Sequence, residues 1–222
     1  MKLYCDPVST TSRPVMLFIA ETGLPVELVH VDLMNGEAAS PAFLAVNPNG
    51  CVPFLVDGDF ALGESSAILK YLADVADSPA YSADLKARAR VNAAMDWFYT
   101  NFYQAFVLMA VYPNFGIPRG LGAAVAQGLA AYGEEHAHRW LQVLDRDMLG
   151  SGRYVCGDAI TLADYVGSAF VTLGEAVDFD ISAYPNIRAW VARMKARPCW
   201  DAVHAGFYGV LSALRSQARV TA

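Results

Sequence analysis

The chain has 222 residues, 55% of them hydrophobic, and a formal net charge of −6. That composition can bury a full core and excludes intrinsic disorder; an anionic surface without a run of lysine and arginine excludes sequence-independent binding to nucleic acid, which works by neutralising phosphates. The longest unbroken apolar stretch, Ala105 to Tyr112, falls far short of the ~20 residues of a membrane span, and the opening MKLYCDPVS lacks the apolar region of a secretory signal.

In chain order, residues 2–5 and 26–31 read as strands, short and β-branched or aromatic between turn residues. Between them Val15, Phe18, Ile19 and Thr22 keep one helical face, and Gly23 stops the helix with Pro25 just beyond. A βαβ unit with parallel strands follows. Pro53–Val56 and Phe60–Leu62 flank Asp57-Gly58-Asp59, a hairpin signal, and a helix from Ser65 to about Val75 has Ile68, Leu69 and Leu72 on one side. Residues 77–83 form a small linker carrying a proline. Beyond it the periodicity is helical over 88–111, 122–149, 162–177, 186–196 and 199–215. The predicted fold is therefore α/β plus all-α, with a βαβ-ββα domain over 1–76 and a helical domain over 84–222. Thr161 and Asp164 in "TLAD" predict a capping box, a folding element.

Cys5, Cys51, Cys156 and Cys199 are scattered, with no CxxC pair, and His30, His136, His138 and His204 form no zinc pattern with them. The expectation is a reduced, cytoplasmic protein without a metal.

Four stretches then come in order over nearly the whole chain: "VSTTSRPV" after the first strand, "NPNGCVPFLVDGD", "GESSAILKYL" and "GDAITLADYVGSA". With them the chain resembles a soluble glutathione S-transferase, closest to serine-type, theta-like bacterial members. The resemblance implies a thioredoxin-like first domain that binds glutathione as co-substrate, and a helical bundle that contributes a pocket for a second, hydrophobic electrophile. It implies a detoxifying enzyme and a homodimer. Glutathione-dependent isomerase or dehalogenase activity, and a non-catalytic ligand-binding or regulatory role, are alternatives on the same fold.

The resemblance also implies residue roles. Pro53 is expected in cis, presenting the Val52 backbone to a peptide as a neighbouring strand would. Ser65, at a helix start, would hold the γ-glutamyl carboxylate, and Glu64 the ammonium beside it. In a redox protein of this fold the first turn carries two cysteines; Ser9-Thr10-Thr11-Ser12 cannot exchange disulfides, but a hydroxyl can donate a hydrogen bond to a thiolate. Alignment points to Ser9 as the catalytic residue, with Thr10 and Thr11 as alternatives. Thr11 and Ser12 suit the helix cap, and Arg13 braces the turn or a dimer interface. The acceptor pocket is assigned to Thr10, Thr11, Tyr99, Tyr103, Phe106 and Tyr112. One departure stands out: Leu33 to Cys51, where the glycyl carboxylate of glutathione is expected to meet a basic side chain, has no Lys, Arg or His. Asn35, Asn49 or a cation from elsewhere would have to serve.

Overall fold

The structure, a computed structural model, describes residues 1–220. The chain divides into two compact units, Met1–Ser78 together with the chain from Arg197 on, and Pro79–Ala196.

The first unit is built on a four-stranded sheet of order β2-β1-β3-β4, comprising β1 (Lys2–Cys5), β2 (Glu27–His30), β3 (Phe54–Asp57) and β4 (Phe60–Leu62). Strand β1 runs parallel to β2, pairing Lys2 with Glu27 and Cys5 with His30, and antiparallel to β3. Alternation puts Leu3 and Cys5 into the core. The predicted hairpin forms, but β3 starts at Phe54 rather than Pro53, because proline has no N–H to give a ladder. Helix α1 (Ser12–Thr22) is buried from Ser12 to Ile19 and ends at Gly23, whose φ of +67° lets its N–H reach the Ile19 carbonyl. Helix α3 (Ser65–Val75) buries Ile68, Leu69 and Leu72, the expected side.

One short helix has no periodic signature in the sequence. Helix α2 (Pro41–Leu44) is capped by Ser40, which accepts the Phe43 N–H, with Pro41 in its first turn. Four residues are too few to show a helical period, although Ser-Pro is a start signal. Phe43, Val31 and Val52 form a small core beneath it. The unit is completed by α8 (Trp200–Val220), which packs on α1.

The second unit is helical. Helix α4 (Leu85–Trp97) is capped by Asp84 through the Ala87 N–H and runs on into wider turns over Phe98–Val111. There Tyr112 N–H reaches back five residues to Val107 O, a π-type winding that spacing alone does not predict. Helix α5 (Ala123–Gln142) behaves alike over Val143–Leu149. Helix α6 (Leu162–Leu173) is buried along its whole length and is the centre of the bundle. Its capping box is present as expected, with the Asp164 carboxylate accepting the Thr161 N–H and hydroxyl. The same carboxylate also takes the Val155 N–H and the Trp190 indole N–H, the latter from α7 (Pro185–Lys195). Among the described residues no helix is long and apolar enough to cross a membrane.

Candidate functional site

In the first unit, three segments carry the residues singled out by sequence: the turn into α1, the loop before β3, and the start of α3. The turn is fixed at its root by Asp6, whose buried carboxylate accepts the Val8 N–H at 2.8 Å and the Leu33 N–H at 2.9 Å. Ser9 N–H closes the turn on the Asp6 carbonyl. Asp6 was not singled out by sequence reasoning; an Asp before Pro at a strand end is a turn signal that finds it.

The hydroxyls sort themselves by geometry. Thr11 stands at the helix-cap position, yet its side chain makes no cap bond, and Ser12 lies inside the helix, fully buried. The capping oxygen is instead that of Ser9, which accepts the Ser12 N–H at 3.2 Å, while the Ser9 carbonyl takes the Arg13 N–H. The cap expected on Thr11 or Ser12 is thus displaced, because the helix begins far enough on for Ser9 to reach its first amide. Thr11 Oγ1 lies 3.3 Å from Ser9 Oγ and donates to the Val52 carbonyl at 3.2 Å. Thr10 is buried. Arg13 is fully buried with its guanidinium 4.0 Å from the Phe207 ring of α8, so it braces the turn from within its own chain.

The loop before β3 presents Val52 and Pro53 across a cis peptide bond, as the resemblance implied. Asn47 organises it: the buried amide donates to the Cys51 carbonyl at 2.7 Å and its oxygen accepts the Asn49 N–H. Gly50, at φ +60°, is the one residue type the bend admits, since a Cβ there would meet the Ala38 carbonyl at 3.0 Å. Asn47 was also missed, although Asn-Pro-Asn-Gly marks a turn. Asn35 and Asn49 are exposed, and Asn35 donates its amide to Asp32 at 2.7 Å, part of a local turn.

At the third segment, Glu64 precedes α3 with φ 60° and ψ 110°, a conformation that costs a non-glycine residue about 1–3 kcal/mol and that its surroundings must enforce. Ser65 is buried. The first amide bonded inside the helix is that of Ile68, to the Glu64 carbonyl, so the opening turn directs its N–H groups outward at the positive end of the helix dipole. This is a seat for a carboxylate. Cys5, the last residue of β1, has its thiol pushed up to about 12 by burial and then by the Asp6 charge, which leaves it inert.

In the second unit, Tyr99, Tyr103 and Tyr112 are half-buried. Tyr99 and Tyr103 both lie against Phe170, at 5.2 and 5.0 Å between ring centroids, and Tyr112 meets Tyr103 at 6.4 Å. Phe106 has no exposure and packs against Phe102 and Phe179. It is part of the core face that Phe98 and Phe102 continue. Among the described residues no group of three or more His, Cys, Asp or Glu is placed to hold a metal.

Comparison with known proteins gives this arrangement its family. The family model described as "Glutathione S-transferase, N-terminal domain" matches residues 1–74, and "Glutathione S-transferase, C-terminal domain" matches residues 98–198. The human protein "Glutathione S-transferase theta-2B" is 33% identical over 206 residues, covering 88% of this chain and 81% of its own length. Bovine "Glutathione S-transferase theta-1" is 35% identical over 201 residues, with 88% and 82% covered. The crystal structure of human glutathione transferase theta-2, in complex with glutathione and an unknown ligand, superposes with a TM-score of 0.84 at 30% identity, covering 97% of this chain and 90% of that one.

Proposed function

The chain belongs to the glutathione S-transferase family, and from that premise we propose that it binds glutathione on its first unit and holds the tripeptide sulfur as a thiolate through Ser9. The γ-glutamyl carboxylate takes the amide-rich start of α3 at Ser65, with Glu64 facing the ammonium. The cysteinyl backbone pairs with Val52 beside Pro53. The sulfur then attacks a hydrophobic electrophile, for which Thr10, Thr11, Tyr99, Tyr103 and Tyr112 are the proposed neighbours. Phe106 serves by packing, since its ring is wholly enclosed. The proposal places the glutathione-binding domain at 1–76 and assigns the acceptor side to the helical part, in a cytoplasmic homodimer.

The observation that carries Ser9 is the bookkeeping of protons in the turn. Thr11 has one hydroxyl proton, and the Val52 carbonyl takes it. Among the described residues the acceptor in reach of the Ser9 proton is another hydroxyl, at a long 3.3 Å, and an anionic sulfur is the stronger acceptor. The magnitudes suffice. A free thiol titrates near ~8.5, and lowering that by about two units requires about 2.7 kcal/mol. One hydrogen bond to a charged group supplies about 1.5–3 kcal/mol, and the start of α1 adds about 0.3–1. The protein positions the nucleophile and stabilises its charge; the nucleophile itself belongs to glutathione.

Calorimetric titration with reduced glutathione, followed by turnover with an aromatic halide, tests the assignment. Ser65→Ala is expected to weaken binding by about tenfold, the loss of one charge-assisted contact. Ser9→Ala should bind glutathione nearly as well, yet lose about 10- to 100-fold in turnover at neutral pH as the bound thiol moves back toward its free pKa. Wild-type turnover in Ser9→Ala at neutral pH would sink the role given to Ser9. Absence of any saturable binding at millimolar glutathione would turn the reading toward a non-catalytic function.

A further inference from the structure

Ser12, Ser9, Thr11 and Val52 form a chain of three hydrogen bonds whose two ends can act in one direction only. Ser12 contributes a backbone N–H, which only donates, to Ser9 Oγ at 3.2 Å. Val52 contributes a carbonyl, which only accepts, from Thr11 Oγ1 at 3.2 Å. Each hydroxyl between them owns a single proton. Either hydroxyl could donate across the 3.3 Å contact; with the Thr11 proton on the Val52 carbonyl, Thr11 accepts there and Ser9 donates, the arrangement that satisfies the carbonyl and uses both protons. The order runs Ser12 N–H to Ser9 O–H to Thr11 O–H to Val52 C=O, with all dipoles aligned. Aligned chains of this kind strengthen each member.

We propose that Thr11 is a positioning residue for the thiolate-stabilising hydroxyl, and this rests on the role given to Ser9 above. In the free protein Thr11 offers the Ser9 proton a long and therefore weak acceptor, a hydroxyl oxygen at 3.3 Å, which an anionic sulfur displaces readily. With Ser9 Oγ held by the Ser12 amide on one side and Thr11 on the other, the switch to sulfur takes only rotation about Cβ–Oγ. Thr11 also ties the turn to a residue 41 positions away, so the sulfur contact at Ser9 and the backbone contact at Val52 are set in one frame. The half-buried Thr11 is near enough to the surface for the ligand to share that frame.

The test titrates the glutathione complex by the ultraviolet absorbance of its thiolate, alongside the pH profile of turnover at saturating glutathione. Thr11→Val keeps the shape and removes the hydroxyl; Thr11→Ala does so with less bulk, and Thr11→Ser restores it. The bound thiol is expected to titrate about 0.5–1 pH unit higher in Thr11→Val and Thr11→Ala, with glutathione affinity changed less than about threefold, and to return to the wild-type value in Thr11→Ser. Profiles of both hydroxyl-free variants that overlay the wild type, while Ser9→Ala moves, overturn the role of Thr11 alone. A shift that Thr11→Ser fails to reverse overturns it as well, since packing rather than the hydroxyl would then be responsible. If Ser9→Ala leaves the thiolate titration unmoved, the underlying reading of Ser9 falls together with it.

Discussion

Four hydroxyls in a row are indistinguishable as letters; what separates Ser9, Thr10, Thr11 and Ser12 is where the helix begins, and a one-residue change in that start would exchange their roles. The proximity of a reactive group to a helix start was legible in the sequence, whereas the partner of each oxygen was not, because the Val52 carbonyl that claims Thr11 comes from a distant loop. Cysteines show the same limit. Cys5 sits one residue from the turn, and nothing in the sequence tells it apart from the other three cysteines: its exposure is 2%, and its thiol is pushed up to about 12. The folded chain therefore keeps a proton that the unfolded chain releases above about pH 9, near the 9.0 of a free thiol. Since the native state binds more protons there, stability declines as pH rises past that value and is unaffected below it. Two outcomes are expected. Under native conditions an alkylating reagent followed by peptide mass spectrometry labels exposed Cys51 first and leaves Cys5 unmodified, and the alkaline fall in thermal midpoint is shallower in Cys5→Ala than in the wild type. Early labelling of Cys5 would contradict both the burial and the shift.

At the scale of elements, β1, the hairpin and α3 were legible because each is announced locally: alternation in Lys2–Cys5, Asp-Gly at the turn, and Ser65 before an apolar face. Helix α2 has no periodic face to betray it, and the wide turns over Phe98–Val111 are not encoded in the spacing of Phe98, Phe102 and Phe106. "TLAD" signals a cap, and it is one, but nothing in those letters shows that the same carboxylate holds two further segments. Asp164, itself fully buried, collects the Val155 N–H at 2.9 Å, the Thr161 N–H at 2.7 Å and the Trp190 indole N–H at 2.9 Å. Burial raises its pKa, and these donors work against that rise. Besides the Thr161 hydroxyl, which can turn elsewhere, Asp164→Ala strands three N–H donors, each worth about 1–3 kcal/mol when left unmade in the interior. The loss expected in urea unfolding is roughly 3 kcal/mol or more, with Asp164→Asn falling between the variant and the wild type because its amide oxygen still accepts. A loss below about 1 kcal/mol would mean that the donors find water or each other, and that Asp164 is only a cap.

For the whole molecule, the question is association. Apolar side chains such as Leu28, Phe60 and Val75 in the first unit and Leu85 and Val125 in the second are exposed, which is ordinary for a chain of this composition and does not by itself mark an interface. The size of the requirement is modest, however: a stable pair needs about 800 Å² from each partner, a small share of the 11123 Å² of accessible surface here. Charge sets the opposing force. Each chain carries −6, so bringing two together costs self-repulsion that falls as salt shortens the screening length from about 30 Å at 0.01 M to about 8 Å at 0.15 M. If apolar burial drives the pairing, sedimentation equilibrium at micromolar protein will give twice the mass of one chain at moderate salt and a lower average mass at low salt. A dimer that instead weakens as salt is added is held by paired opposite charges, and its contacts would have to be sought among the few basic residues. A single-chain mass under all these conditions removes the homodimer, and the Ser9, Val52 and Ser65 site must then be complete within one chain.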